Sequence, residues 1–153
     1  MITLALLYWL ASKIGGSVGE DWFYENFPID PATGAITSYG VYAQTVQASR
    51  SQGDDYHTYV DLYAIAGDNS RDDSGNLIPT KMATDLLCDH IEDCVVGALD
   101  DPSSYVMSVP GAVPEQNFYD VRVTPYTGKN TMPELPSGAI VKSLRVEVWY
   151  KKG

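Results

Sequence analysis

Apolar residues near the beginning of the chain recur at the three- and four-residue steps of an α-helix. They form one stripe, which comprises Ile2, Leu6, Trp9, Leu10 and Ala11. Gly15 and Gly16 follow, and glycine commonly ends a helix because it adopts backbone conformations that other residues avoid. The pattern therefore predicts a helix over Ile2–Ile14 with one broad buried face.

A second helical pattern covers residues 81–99 and has the clearest periodicity in the sequence. Its apolar and small residues recur at three- and four-residue steps: Ala83, Leu87, Ile91, Cys94 and Ala98. Acidic residues cluster on the opposite side: Asp85, Asp89, Glu92 and Asp93. We predict an amphipathic helix whose apolar stripe packs on a sheet and whose carboxylates face solvent or a partner.

The middle of the chain has the alternating pattern of β-strands, in which successive side chains point to opposite faces. Residues 35–49 are rich in Ile, Thr, Tyr and Val, which favour strands. Residues 56–66 alternate, with Val60, Leu62, Ala64 and Ala66 on one face. The polar segment 51–55 joins these strands, so we predict an antiparallel hairpin.

Further strands are predicted at both ends of the chain. A short one begins at the aromatic cluster after Asp21, and two others cover residues 118–126 and 139–151. In the last strand, alternate residues are apolar: Leu144, Val146, Val148 and Tyr150. Residues 100–116 contain three prolines and are predicted to be a loop.

The order of helix, short strand, hairpin, helix and two strands predicts an α+β fold. We expect an antiparallel β-sheet with two main helices packed on it. The chain has 153 residues, of which 44% are hydrophobic and 20% are charged. These values are ordinary for a globular protein and predict a single domain over residues 1–153.

Charge argues against two classes of partner. Acidic residues outnumber basic ones by 20 to 10, which gives a formal net charge of −10. A net anion is repelled by phosphate backbones and by anionic lipid, so we expect neither specific nucleic-acid binding nor a membrane partner. The apolar run before Lys13 is also shorter than the ~20 residues that a membrane span needs.

The sequence has little that resembles catalytic or metal-binding chemistry. It contains no phosphate-binding glycine motif, and residues 67–76 do not match the ligand order of an EF-hand calcium loop. Asp55 and His57 share a strand face but lack a visible third metal ligand. Cys88 and Cys94 are too far apart on a helix for a disulfide. We therefore predict no cofactor and no metal. Catalytic activity would require His57 or His90 to lie in a cleft with a shifted pKa, and we do not predict an enzyme.

Tyrosine is unusually frequent, with eleven residues, several of them on predicted strands. Its large ring and hydrogen-bonding hydroxyl suit protein interfaces. It also fits the half-buried surface of an ordinary sheet. The abundance of tyrosine is therefore consistent with either role.

The layout of the whole chain resembles that of the tail terminator (minor capsid or tail completion) proteins of long-tailed bacteriophages. An amphipathic helix and a glycine break precede the aromatic segment VGEDWFYENFP. The strand pair GVYAQTVQAS and HTYVDLYAIAG follows, then the helix TKMATDLLCDHIEDCVVGAL. The strands FYDVRVTPY and SLRVEVWYKK end the chain. Residues 100–117 depart from this layout because they form an enlarged segment.

The resemblance implies a structural protein of the virion, made in the host cytoplasm and located at the tail-neck region. Such proteins form homohexameric rings that end the tail tube and bind the head-tail connector, and they carry no cofactor. Two alternatives remain: a neck or head completion protein, and a monomeric tyrosine-rich module that binds a glycan or peptide.

In a ring that DNA crosses, carboxylates would repel the duplex and keep its passage free. Two acidic groups are therefore expected to face the lumen or a partner. The first lies in the polar loop and comprises Asp68, Asp72 and Asp73; the second lies on the helix and comprises Asp85, Asp89 and Glu92.

Overall fold

The computed structural model describes residues 1–24, 32, 40–50, 55–65, 74–76, 80–127, 130–131 and 141–152. Its α-helices are α1 (Ile2–Ile14) and α2 (Thr80–Val96), and two short 3-10 helices cover Ala98–Asp100 and Pro102–Ser104. Its strands are β1 (Trp22–Tyr24), β2 (Gly40–Arg50), β3 (Asp55–Ile65), β4 (Met107–Val109), β5 (Gln116–Pro125), β6 (Asn130–Thr131) and β7 (Lys142–Lys152).

The strands form one sheet in the order β1-β2-β3-β7-β5-β4, with the short β6 also paired to β7. All pairs are antiparallel except β1 with β2, which is parallel. The α+β fold with a mostly antiparallel sheet is therefore confirmed. The predicted hairpin is also confirmed, since β2 pairs antiparallel with β3 and places Val41 opposite Ala64.

The apolar stripes of both helices pack on one face of the sheet, which we call the inner face. Helix α1 buries all five residues predicted from its periodicity, and it also buries Ala5 and Leu7 completely. Helix α2 buries Ala83, Cys88, Ile91 and Val95, whereas Leu87 and Cys94 of its predicted stripe are only half-buried. Alternate residues of the central strands complete this core: Val60, Leu62, Ala64, Leu144, Val146 and Val148. Each leucine-sized side chain buried in this way contributes about 1.5–3 kcal/mol to stability.

Helix α2 ends earlier than the predicted residue 99. The N–H of Gly97 still donates to Asp93 O (3.0 Å), but the chain then tightens into the 3-10 turn Ala98–Asp100. Helices commonly end in this way because tighter hydrogen bonds satisfy the last carbonyl groups. Ala98 stays fully buried, so its place in the apolar pattern was correct although it lies outside the α-helix.

The prediction that residues 100–116 form a loop is wrong. They contain the 3-10 helix Pro102–Ser104 and strand β4, which pairs with β5 and places Met107 opposite Phe118. Strand β5 also begins at Gln116, two residues before the predicted start. Only Met107 and Val109 of β4 point inward, and two apolar residues are too few to reveal a strand by alternation.

An ion pair fixes the start of this segment to the end of α1. Lys13 Nζ lies 2.9 Å from Asp101 Oδ2, while the backbone N–H and the hydroxyl of Ser103 donate to Asp101 Oδ1. The hydrogen bonds from Lys13 and Ser103 lower the pKa of Asp101 from 3.8 to about 2. Trp9 Nε1 adds a hydrogen bond to Ser103 Oγ (3.1 Å), which ties the same turn to α1.

These contacts predict an acid-dependent loss of stability that requires Asp101. Its pKa is lower in the folded protein, so its contribution is complete above pH 3.8 and disappears as pH falls from 3.8 to about 2. Asp101→Asn should remove most of this dependence, because the amide carries no charge opposite Lys13. Chemical denaturation of both proteins at a series of acidic pH values measures it. Parallel stability curves for the two proteins would contradict the prediction.

Candidate interaction site on the outward face of the sheet

The opposite side of the sheet, which we call the outward face, carries polar and aromatic side chains. Strand register aligns them in rows across β3, β7 and β5. His57 lies opposite Trp149, which lies opposite Arg122. Asp61 lies opposite Arg145 in a row nearer the other end of β7. Helices α1 and α2 pack on the inner face, so neither covers these rows.

The first cluster on the outward face is built around His57. Its ring stacks on the indole of Trp149, with centroids 3.9 Å apart and planes 9° apart. Its Nε2 lies 2.7 Å from Glu147 Oε1. The ring of Tyr59 meets His57 edge-on at 4.7 Å, and Tyr126 meets Tyr59 in the same manner at 4.8 Å. These contacts hold the aromatic side chains in one continuous, ordered group.

The second cluster joins an ion pair to two tyrosines. Arg145 binds Asp61 through two parallel hydrogen bonds, Nε to Oδ1 at 2.7 Å and Nη2 to Oδ2 at 3.0 Å. The hydroxyl of Tyr63 donates to Asp61 Oδ2 (3.2 Å), and Tyr42 stacks on Tyr63 with ring centroids 4.5 Å apart. A two-point arginine–carboxylate pair fixes both side chains in direction as well as position.

This environment changes the acidity of its members. Burial and then the negative charge of Asp61 raise the pKa of Tyr63 from 10 to about 12. Burial and the charge of Asp61 also raise the pKa of Tyr42. The hydrogen bonds and charge of Asp61 raise the pKa of the Arg145 guanidinium. The cluster therefore keeps Tyr42 and Tyr63 neutral and Arg145 charged throughout the physiological range.

We expect Tyr63 to make stability depend on pH under alkaline conditions. Its pKa is higher in the folded protein, so its contribution is complete below pH 10 and disappears as pH rises from 10 to about 12. Tyr63→Phe should lack that part of the alkaline decline. Asp61→Asn should lower the pKa of Tyr63 toward 10, because it removes a neighbouring negative charge. Absorbance of the tyrosinate band, compared between wild type and Tyr63→Phe, measures the pKa. A value near 10 in the wild type would contradict the prediction.

Arg122 reaches the outward face because β5 contains a bulge. The register between β5 and β7 shifts between Tyr119 and Arg122, and Asp120 has a positive φ of 49°. The extra residue lets Val121 point into the core while Arg122 points outward. Arg122 is exposed and makes no ion pair with any residue in the described part of the chain.

The acidic residues predicted to face a lumen or partner are only partly placed. Asp68, Asp72 and Asp73 lie outside the described residues. Asp85, Asp89 and Glu92 lie together on α2, where they are half-buried, and Asp85 Oδ1 lies 3.0 Å from Lys142 Nζ. Whether either group faces a lumen or a partner stays a prediction.

The prediction that the carboxylates of α2 form its solvent-facing side needs correction, because Asp93 is exposed but Asp85, Asp89 and Glu92 are half-buried. The most exposed positions include Met82, Leu86 and Val96 as well as His90 and Asp93. Because the helix lies on the sheet, its exact rotation decides which residues are outermost, and apolar residues share that position with a carboxylate. The helix is also rotated from the predicted orientation, since Cys88 and Val95 are buried in place of Leu87 and Cys94.

A metal site and a membrane span are the other two kinds of site that the sequence raises. Within the described ranges, no group of three or more His, Cys, Asp or Glu residues is arranged to hold a metal ion. None of the helices described is both long and apolar enough to cross a bilayer. A groove of about 320 Å³ is lined by Met1, residues 115–118 and Lys152, which include neither histidine.

Sequence reasoning identified the tyrosine-rich strands but missed the two clusters. His57 and its partner Trp149 are more than eighty residues apart along the chain, as are Asp61 and Arg145, and only the pairing of β3 with β7 brings each pair together. Their positions on the outward faces of two alternating strands were the available signal. A scan of the chain against models of known protein families finds no match, and a search of curated proteins finds none.

Proposed function

We propose that this chain is a structural subunit of a phage virion, a tail terminator that forms a ring at the end of the tail tube and joins it to the head connector. The proposal rests on the layout that resembles those proteins. The observation that carries it further is the outward face, where Tyr, Trp and Arg side chains lie in ordered clusters on a face to which neither helix packs.

The composition of this face supports a role in assembly. Tyrosine, tryptophan and arginine are enriched at protein interfaces and contribute most of the binding free energy there. The side chains are also held in place before any partner binds, by the Asp61–Arg145 pair and the His57–Trp149 stack. An interface that is already ordered loses less side-chain entropy on binding, which favours association.

The proposed mechanism is geometric and requires no bound cofactor. A closed ring needs head-to-tail contacts, in which one surface of a subunit meets a different surface of the next. One rim of the ring would cover the tube and stop its growth, and the other would present a docking surface to the connector. Asp68, Asp72 and Asp73 are proposed to line the DNA passage, with Asp85, Asp89 and Glu92 as a second acidic group facing the lumen or a partner.

Mass in solution tests the proposal most directly. Light scattering coupled to gel filtration should give a species of six times the 16.7 kDa chain mass, or a monomer that assembles into rings once tail tubes are added. Electron microscopy should then place those rings at tube ends. A chain that stays monomeric with and without tubes would contradict it.

The same experiment separates the alternatives. A neck or head completion protein would bind the connector and leave tail tubes unoccupied. A glycan- or peptide-binding module would remain monomeric and bind its ligand through open aromatic faces. Here His57 already covers one face of Trp149.

A further inference from the structure

Helix α2 and the turn after it present an exposed apolar surface, which we call the helix patch. It comprises Met82, Leu86, Asp93, Val96 and Leu99. Its four apolar members are between 43% and 60% exposed. Tyr105 continues the same surface, because its hydroxyl donates to Leu99 O (2.6 Å). Large exposed apolar side chains grouped along one helix are a feature of protein contact sites.

The charged side chains on the segment that carries the helix patch are all acidic, and one of them, Asp85, pairs with Lys142 of β7. Residues 82–100 include five carboxylates and no lysine or arginine. Asp93 lies within the patch, and Asp100 is exposed beside Leu99. A partner for this surface should therefore offer a positive group together with an apolar or aromatic area.

The outward face of the sheet offers that combination, in what we call the sheet patch: Arg122, Trp149, Tyr59 and Tyr126. Arg122 is exposed and without an ion pair within the described residues. Tyr126 is exposed, and its ring contacts the ring of Tyr59. The ring of Tyr59 contacts His57, which in turn stacks on Trp149. Exposed arginine beside ordered tyrosine and tryptophan is the composition of an interface hot spot.

We propose that the helix patch of one copy packs against the sheet patch of the next copy, with Arg122 facing the carboxylates around Asp93. This proposal rests on the proposed self-assembly and names its contact. The two patches lie on opposite sides of the sheet, since α2 packs on the inner face and the sheet patch is on the outward face. Contacts between two different surfaces repeat head-to-tail, and such contacts form a ring when the rotation between neighbouring copies closes.

A symmetric contact between two helix patches is disfavoured by charge. It would bring the exposed carboxylates of each copy, Asp93 and Asp100, together without a lysine or arginine from the same segment. Like charges placed against each other at an interface weaken binding strongly. The head-to-tail arrangement instead places these carboxylates against Arg122 and covers the apolar residues with aromatic rings.

Exchange of charge between the patches tests the proposal. Arg122→Glu and Asp93→Arg should each raise the protein concentration needed for assembly at least about tenfold, measured by analytical ultracentrifugation. An equal mixture of the two variants should assemble again, because each contact in an alternating ring then joins opposite charges. Lys152→Glu and Glu20→Arg are the controls, since they change exposed charges outside both patches and should assemble like the wild type.

Milder variants distinguish a weaker contact between copies from a loss of folding. Arg122→Ala and Val96→Ser should weaken assembly while circular dichroism shows an unchanged fold. If the wild type assembles and the variants at residues 93, 96 and 122 assemble equally well, the contact is wrong while self-assembly stands. The contact is also wrong if each charge-reversed variant fails to assemble alone and their mixture fails to assemble as well. A wild type that stays monomeric at every concentration, with or without tail tubes, overturns both proposals.

Discussion

Replacement of Ile91 by aspartate is expected to unfold the protein. Ile91 lies in the middle of α2, is 1% exposed and belongs to the main core on the inner face of the sheet. The change removes about 1.5–3 kcal/mol of apolar burial and forces a carboxylate into a site without a partner. The combined loss is above about 4 kcal/mol, close to the whole stability of many domains.

Far-ultraviolet circular dichroism during heating measures this effect. We expect no cooperative transition for Ile91→Asp, or one at a much lower temperature than in the wild type. The control is His90→Asp, which introduces the same side chain at the adjacent exposed position of α2 and should alter stability only slightly. Equal melting temperatures for Ile91→Asp and the wild type would show that this side of α2 does not face the core.

Gly40→Ala should also destabilise the protein strongly, through the backbone rather than the core. Gly40 begins β2 with a φ of 154°, and a Cβ at this position would overlap the carbonyl group of Asp21. That carbonyl accepts a hydrogen bond from the N–H of Val41 (2.9 Å) directly before β1 pairs with β2. The overlap is with backbone on both sides, so it is relieved only if β1 moves away from β2. We expect a loss of roughly 2–4 kcal/mol.

Gly15→Ala is the matched control for this loss. Gly15 also has a positive φ, 116°, but a Cβ there would have no neighbour within 4 Å. Its replacement should cost only the conformational penalty of about 1–2 kcal/mol. Denaturant titration of both variants separates the cost of the overlap with Asp21 from the conformational penalty. Hydrogen exchange at the Val41 N–H should accelerate in Gly40→Ala alone. Similar losses for both variants would mean that the close approach to Asp21 does not matter.

The elements that were predicted best are those with long periodic patterns. Helix α1 has the predicted bounds, and each residue of its predicted stripe is buried. Strands β3 and β7 alternate between half-buried and buried side chains over residues 57–64 and 143–150, which is long enough for the period of two to be clear. Burial acts on every second or every third to fourth residue, so it leaves a signal in the sequence itself.

Short elements and turns were predicted less well, because their structure depends on distant residues. Strand β4 has three residues, and it forms where Met107 can pair opposite Phe118 and pack near α1. The 3-10 turn before it is held by Trp9 and Lys13, about ninety residues earlier in the chain. No local pattern contains that information.

The sequence by itself therefore determined the α+β class, the buried stripe of α1 and the two faces of the central strands, but it placed the buried stripe of α2 only approximately. Only the tertiary structure decided that β1 runs parallel to β2 and that His57 stacks on Trp149. It also decided that α2 exposes Met82, Leu86 and Val96 beside its carboxylates. The physical reason is that periodic burial determines the residue types within each segment, whereas strand order and helix rotation result from the packing of the whole chain.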